Sequence, residues 1–331
     1  MYIIIMSIYI QLKTVWFEVI WLIPQVLLFG NGLYRSYGEN SWDDFLNSLS
    51  KDNKKTVSAG KLESPMFLRS QLLSGGSIDC ALKDAGKGIF GTLGNNALRG
   101  NLKKLLTAGF DDILTTNYDY RLEIAAADKE TVTKYYLDKN ARNILKGKAV
   151  EPKYMLHSYQ NVDCNGVNNR IWHIHGEAKK QDSMILSLYY YSNLLSRIVE
   201  YAKNNRNRYK DLQGKHLPVE IQSWIDSFIL GDVYVLGFGF DYSEIDLWWL
   251  LERKKKEKAN HGRLYFYEPV SVDSEKCRLL KLFGAEVVNL GYDVADKSEK
   301  EKKNIYSEFY PKAIDSIIKK VEKKRKTEAG K

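Results

Sequence analysis

The chain has 331 residues, 44% hydrophobic and 27% charged, with a formal net charge of +9. That composition supports a sizeable core and is ordinary for a soluble protein, and the basic excess permits anionic partners without identifying one. Three cysteines, Cys80, Cys164 and Cys277, with no CxxC pair, exclude a four-cysteine zinc site and argue against a disulfide framework, which points to a reducing, cytoplasmic setting.

Residues 1–24 open an apolar stretch, MYIIIMSIYIQLKTVWFEVIWLIPQVLLF, interrupted by Lys13, Glu18 and Pro24. It carries no small-residue cleavage site, and its charges weigh against a membrane anchor, so it reads as a packed extension or as a start codon placed too early. The first core strand is VLLF, 26–29. Ser41 is expected to cap a helix through Asp44, with Trp42, Phe45, Leu46 and Leu49 on one face. Segment 51–96 holds glycine-rich pieces and supports no assignment. Leu98, Leu102, Leu105 and Leu106 make a helical stripe that Gly109 is expected to close.

DILTT (112–116) is the second strand and RIWHI (170–174) the third, and the Tyr-rich stretch 117–169 between them reads as a helical insertion. A second helical insertion, 176–232, leads to VYVLG (233–237). Ser243 is expected to cap the next helix, with Ile245, Trp248, Trp249 and Leu251 as its apolar side. RLYFY (263–267), a helix near 273–283, EVVNL (286–290) and a charged helix over 301–323 complete the chain. The basic runs ERKKKEK (252–258) and KKVEKKRK (319–326) read as solvated helix faces. Short apolar runs alternating with helical periods predict an α/β fold: a Rossmann-like, mostly parallel sheet of about six strands, with helices on both faces, helical insertions and no zinc ribbon.

Open parallel sheets bind ligands beyond the carboxyl ends of their strands. After VLLF come Gly30, Asn31 and Gly32, with Arg35 behind them; after DILTT come Asn117 and Asp119. After RIWHI comes His175, after VYVL come Gly237, Phe238, Gly239 and Asp241, and after RLYFY comes Glu268. Glycines let backbone approach a phosphate, and an arginine nearby supplies charge. Each feature alone has a plainer reading: a tight turn at Gly30-Asn31-Gly32, a helix cap at Asn117, a structural histidine at 175, a surface arginine at 35. His173 alternates with His175 and should face the other side of the sheet, packed or hydrogen-bonded in the core. No carboxylate or cysteine is placed in the sequence to complete a metal site with either histidine, so no metal is expected.

Together FGNGLYRSYG, LTTNYDYRLE, WHIHGE and VLGFGFDYSEIDL resemble the sirtuin fold in its bacterial, NAD-hydrolysing, antiphage branch. The resemblance spans about residues 25–295, leaving 1–24 as an apolar extension and 296–331 as a charged C-terminal helix with a basic tail. It implies NAD as the substrate, with Asn117 and His175 catalytic and Asp119 holding the nicotinamide end. By the same resemblance Gly30, Gly32, Arg35, Gly237 and Gly239 bind the dinucleotide, and Asn31, Phe238, Asp241 and Glu268, which follow the same set of strand ends, are expected to join them. The implied activity is cleavage to nicotinamide and ADP-ribose by an effector that a partner protein or self-assembly into a homo-oligomer activates. Nucleic acid as substrate and membrane association are not expected. A deacylase or ADP-ribosyltransferase and a non-catalytic NAD or ADP-ribose sensor stay open as alternatives; against the first, the zinc ribbon of lysine-deacylating sirtuins is missing.

Overall fold

A strand covered on both faces needs no polar alternation, and Gln25–Phe29 (β1, QVLLF) has none: all five residues are buried. In the computed structural model, which describes residues 23–38, 42–49, 64–74, 91–128, 142–144, 153–211, 220–257 and 262–329, β1 lies near the middle of an eight-stranded sheet. The other strands are β2 (Asp112–Thr115), β3 (Arg142–Ile144), β4 (Ser158–Cys164), β5 (Val167–His173), β6 (Asp232–Leu236), β7 (Leu264–Tyr267) and β8 (Ala285–Val288). Their order is β3-β4-β5-β2-β1-β6-β7-β8, and the six from β5 to β8 run parallel. These six are the apolar runs read from the sequence.

The remaining two correct that reading. The stretch 117–169 holds no purely helical insertion; β4 pairs antiparallel with β5 through Asn165 and Gly166, both at positive φ (53° and 82°). An Asn-Gly pair between two extended segments is a strong hairpin signal, and the alternating burial of β4 reflects a strand covered on one face only.

Eleven α-helices lie among the described residues: α1 (Gly32–Ser36), α2 (Trp42–Ser48), α3 (Met66–Leu73), α4 (Asn96–Leu106), α5 (Arg121–Ala126), α6 (Leu188–Asn204), α7 (Arg206–Asp211), α8 (Trp224–Leu230), α9 (Ile245–Lys256), α10 (Glu275–Leu282) and α11 (Glu299–Ala329). The period of two along the strands divides the core. Val26, Leu28, Leu114, Trp172 and Val235 face one layer with α6, α8 and α9. Leu27, Phe29, Ile113, Ile171 and Leu236 face the other, with α4, α5 and α11.

Several helix details differ from the sequence reading. The α4 C-cap is Thr107, and Gly109 (φ 82°) instead turns the chain into β2. The α9 N-cap is Glu244, because Ser243 spends its hydroxyl on Asp241 Oδ1 (2.6 Å). The buried face of α9 is Asp246, Leu247, Leu250, Leu251 and Lys254, whereas Trp248 and Trp249 are only partly covered. Apolar periodicity misses this face because two charged residues on it find buried partners. Ser41, Cys80 and residues 1–22 lie outside the described residues; Cys164 and Cys277 are buried free thiols. No helix among the described residues is long and apolar enough to cross a membrane.

The basic runs are not simply solvated. Lys254 is buried and donates to the carbonyls of Phe228 and Ile229 (3.0 Å each) and Gly231 (2.5 Å), closing the C-terminal end of α8. Lys324 pairs with Asp232, and Arg325 with Asp111 (2.6 Å), so the last turns of α11 are tied to the amino-terminal edge of the sheet. At the same edge Asp112, fully buried, accepts from Trp172 Nε1 (2.7 Å), Arg170 (2.8 Å) and Ser227 Oγ (2.6 Å). Asp112→Ala leaves the buried Trp172 Nε1 and Ser227 Oγ without an acceptor, while Arg170 keeps the Asp111 carbonyl (3.2 Å), and is expected to cost about 3 kcal/mol in urea unfolding; a loss under about 0.5 kcal/mol, the scale of an ordinary surface change, would show that water replaces the carboxylate freely.

Candidate functional site

The carboxyl ends of β1 and β6 lie side by side, and their loops interlock backbone to backbone. Gly30 N–H donates to Leu236 O (3.0 Å) and Gly32 N–H to Gly237 O (2.7 Å). A Cβ on Gly30 would stand 2.5 Å from Gly237 O, and one on Gly237, itself at φ 68°, 3.0 Å from Gly30 O. Glycine is required here because two loops touch through bare main chain. That modifies the sequence reading: the amides of Gly30 and Gly32 are already spent between the loops, and Gly30 lies beneath them rather than on an open surface.

Above this junction opens a cavity of about 700 Å³. Ten of the residues singled out by sequence border it: Asn31, Gly32 and Arg35 from the β1 loop; Asn117 after β2; His175 after β5; Gly237, Phe238, Gly239 and Asp241 after β6; and Glu268 after β7. The strands β5, β2, β1, β6 and β7 are consecutive in the sheet, so this edge extends about 19 Å, four spacings of about 4.8 Å. Gly30 and Asp119 are not on the lining. Asp119 instead holds Arg121, accepting from its backbone N–H and its guanidinium (2.9 Å each), and so shapes the turn into α5.

At the β2 and β5 end the floor is built in layers. His173 is buried, donates from Nδ1 to the Asn117 carbonyl (3.0 Å) and meets Glu123 Oε1 at 2.9 Å through Nε2. It thus supports Asn117 from below, the buried, hydrogen-bonded place expected of it. The Asn117 backbone N–H donates to Thr115 Oγ1 (3.1 Å). The side chain is buried, and its Nδ2 makes no full hydrogen bond among the described residues; the Tyr34 hydroxyl, itself unpaired, is the neighbouring oxygen that it acts on. A buried donor left without a full hydrogen bond is costly and marks a place where a bound group is expected to complete it.

His175 is 2% exposed. Its Nε2 donates to Asp246 Oδ2 (2.9 Å), its Nδ1 faces Glu244 Oε2 at 3.7 Å, and its ring lies edge-on to Tyr191. Tyr191 O–H in turn donates to Glu244 Oε2 (3.1 Å). Burial works against a charged imidazole, but Asp246 and Glu244 outweigh it, and the basicity of His175 is raised. Burial pushes Glu244 up to about 7, with His175 pulling the other way. At the β7 end burial raises Glu268 to about 7, opposed by the hydrogen bond from Tyr306 (2.7 Å) and by Lys276 and Arg35.

Phe240, between these ends, adopts φ 47°, an uncommon conformation for a bulky residue. Its buried ring packs against Phe238, Trp248 and Phe266, which offsets the strain and holds the loop in place.

Sequence reading missed part of the lining. Glu244 and Tyr191 border the β2 and β5 end, and Lys276, Lys302, Lys303, Tyr306 and Tyr310 border the other. The acidic pair in SEIDL, beside two tryptophans, was the available signal for Glu244 and Asp246, since acids on an apolar helix face need partners. The α11 residues carry no local signal at all; a lysine-rich helix looks the same whether or not one turn overhangs a cavity.

A protein-family model described as a SIR2-like domain matches residues 111–288, more than half of the chain. The matched segment runs from β2 to β8; the β1 glycine loop and α11 lie outside it. No curated protein matches the chain.

Proposed function

Because the chain belongs to the SIR2-like domain family, a family of NAD-binding domains, we propose that it hydrolyses NAD to nicotinamide and ADP-ribose. The observation that carries this reading is Asn117: a buried amide without a full hydrogen bond, beside His175 and Glu244, on a cavity long enough for a dinucleotide. Cleaving the N-glycosidic bond needs no acid at the leaving group, because nicotinamide departs from a pyridinium and takes the bonding pair as a neutral molecule. The barrier lies in an oxocarbenium-like state at the ribose carbon. What the protein must supply is a positioned water, fixed dipoles and a proton acceptor. Asn117 is suited to orient water or the nicotinamide end. Glu268 is suited to a ribose hydroxyl at the far end, and Arg35, Lys276, Lys302 and Lys303 to the diphosphate between them.

In this reading the protein is an antiphage effector that depletes NAD once a partner chain or self-assembly switches it on. Chromatography of the products of purified protein and NAD tests the chemistry. Release of nicotinamide with ADP-ribose supports it; tight NAD binding without turnover favours a sensor, and nicotinamide release only with an acylated peptide favours a deacylase.

The α11 lysines make a separate expectation. Replacing Lys302 and Lys303 together by alanine should raise the KM for NAD about tenfold, with kcat unchanged, because two partly exposed charges act on binding more than on bond cleavage. The wild-type KM should also climb with added salt and that of the variant much less. An unaltered KM would remove α11 from the binding site.

A further inference from the structure

The sequence points to His175 as the proton acceptor, and the structure points elsewhere. Its Nε2–H is committed to Asp246, and its other nitrogen faces Glu244 at 3.7 Å. We propose that Glu244 is the catalytic base that takes the proton from the attacking water, and that Asp246 and His175 are positioning residues for it. This assignment rests on the NAD-hydrolase reading.

Three observations carry it. Glu244 borders the cavity while being only 4% exposed, so its carboxylate meets a bound substrate with little competing solvent. Its Oε2 is fixed by Tyr191 O–H (3.1 Å), and its neighbour His175 is in turn fixed by Asp246 (2.9 Å), which gives the carboxylate one orientation. Of the other acids on the lining, Asp241 is exposed and accepts on Oδ1 from both the N–H (2.9 Å) and the Oγ (2.6 Å) of Ser243, and Glu299 on α11 is paired with Lys302 (2.8 Å). Glu268 belongs to the far end, bonded to Tyr306.

In the step assigned to it, water oxygen bonds to the ribose carbon as the carbon–nitrogen bond breaks. The bonding pair leaves on the nicotinamide nitrogen and neutralises it. The water proton passes to Glu244 and then to solvent, so each turnover releases one proton. A base for this step works best with a pKa near the working pH, and burial brings Glu244 there. The groups facing it are His175 from the end of β5, Tyr191 from α6, Tyr118 from the loop after β2, Asp241 from the β6 loop and Asp246 from α9. The carboxylate form is the active one, so kcat should rise about tenfold per pH unit below pH 7 and level off above it.

The test is steady-state NAD hydrolysis by the full-length protein across pH 5.5–9. Glu244→Gln should lower kcat at least about 100-fold, keep the KM for NAD within about threefold and abolish the acid limb; Glu244→Asp should recover part of the rate and keep the limb. If Glu244→Gln retains the kcat of a wild type that hydrolyses NAD, the assignment is overturned and the NAD-hydrolase reading survives. If the wild type neither hydrolyses nor binds NAD, the reading itself fails and the assignment falls with it. An infrared titration of ligand-free protein supplies a readout that does not depend on activity. Glu268 titrates in the same range, so Glu244 is read from the difference between wild type and Glu244→Gln: a protonated-carboxyl band that vanishes between pH 6 and 8 is expected in that difference, and a difference band already ionised at pH 5 overturns the proposal.

Discussion

Asn117→Ala is expected to lose NAD turnover by about 100- to 1,000-fold, the usual loss when one preorganised polar group is removed from a reaction centre, with no loss of thermal stability. The asymmetry follows from how the residue is held. Its backbone is fixed by Thr115 Oγ1 and by His173 Nδ1, and neither bond involves the Asn117 side chain. Alanine leaves both in place. It also removes a buried amide nitrogen that makes no full hydrogen bond among the described residues, which relieves a desolvation cost in the ligand-free protein. Measuring kcat and Tm on the same preparation separates the two effects. Full turnover in the variant would end the catalytic role for Asn117, and a fall in Tm would mean that the amide serves the fold instead.

His175→Ala is the second large effect, and it differs in kind. His175, Glu244 and Asp246 bring their polar atoms within 4.8 Å of one another in a buried place. Without the imidazole the two carboxyl groups face each other with no hydrogen-bonding cation between them. The fold should lose about 3 kcal/mol, as for other buried pairs broken on one side. Turnover near neutral pH should fall about 100-fold or more. His175 holds the Glu244 carboxyl below where burial alone would set it, so its removal raises that group further. The acid limb of kcat should therefore move to higher pH, and raising the pH should recover part of the lost rate. The same shift works on stability. A carboxyl whose folded pKa lies above its unfolded value stabilises below the unfolded pKa, and that contribution is lost as pH climbs through the folded one. For wild-type Glu244 this window closes near pH 7. In His175→Ala it should close later. An acid limb at its wild-type position would show that His175 and Glu244 are not coupled.

Some of this was legible because the physics is local. A parallel strand buried on both faces reads as a nearly continuous apolar run, as β1, β2, β6 and β7 do, and the six parallel strands all overlap the runs read from the chain, although β5 and β8 are partly exposed. Glycines at 30, 32 and 237 were legible as places of close approach, but what approaches is the neighbouring loop's main chain, two hundred residues away in sequence, joined at Gly32 by the Tyr310 hydroxyl of α11. The β4–β5 hairpin was available in Asn165-Gly166 and was hidden by the tyrosines around it. The buried face of α9 was not available from periodicity, because Asp246 and Lys254 are buried by virtue of partners in the loop after β5 and on α8.

The amino-acid sequence by itself determined the six parallel strands of the sheet, the strand ends at which polar groups gather, and the placing of Asn117 and His175 at two of them, since each depends on residues close along the chain. Only the tertiary structure decided which nitrogen of His175 is committed, that Glu244 borders the cavity beside it, and that α11 overhangs the site with Lys302, Lys303 and Tyr306. The reason is one of range. Burial of a strand is set by its own side chains, whereas the state of a buried acid or the use of a surface lysine is set by groups that the fold brings together from distant parts of the chain.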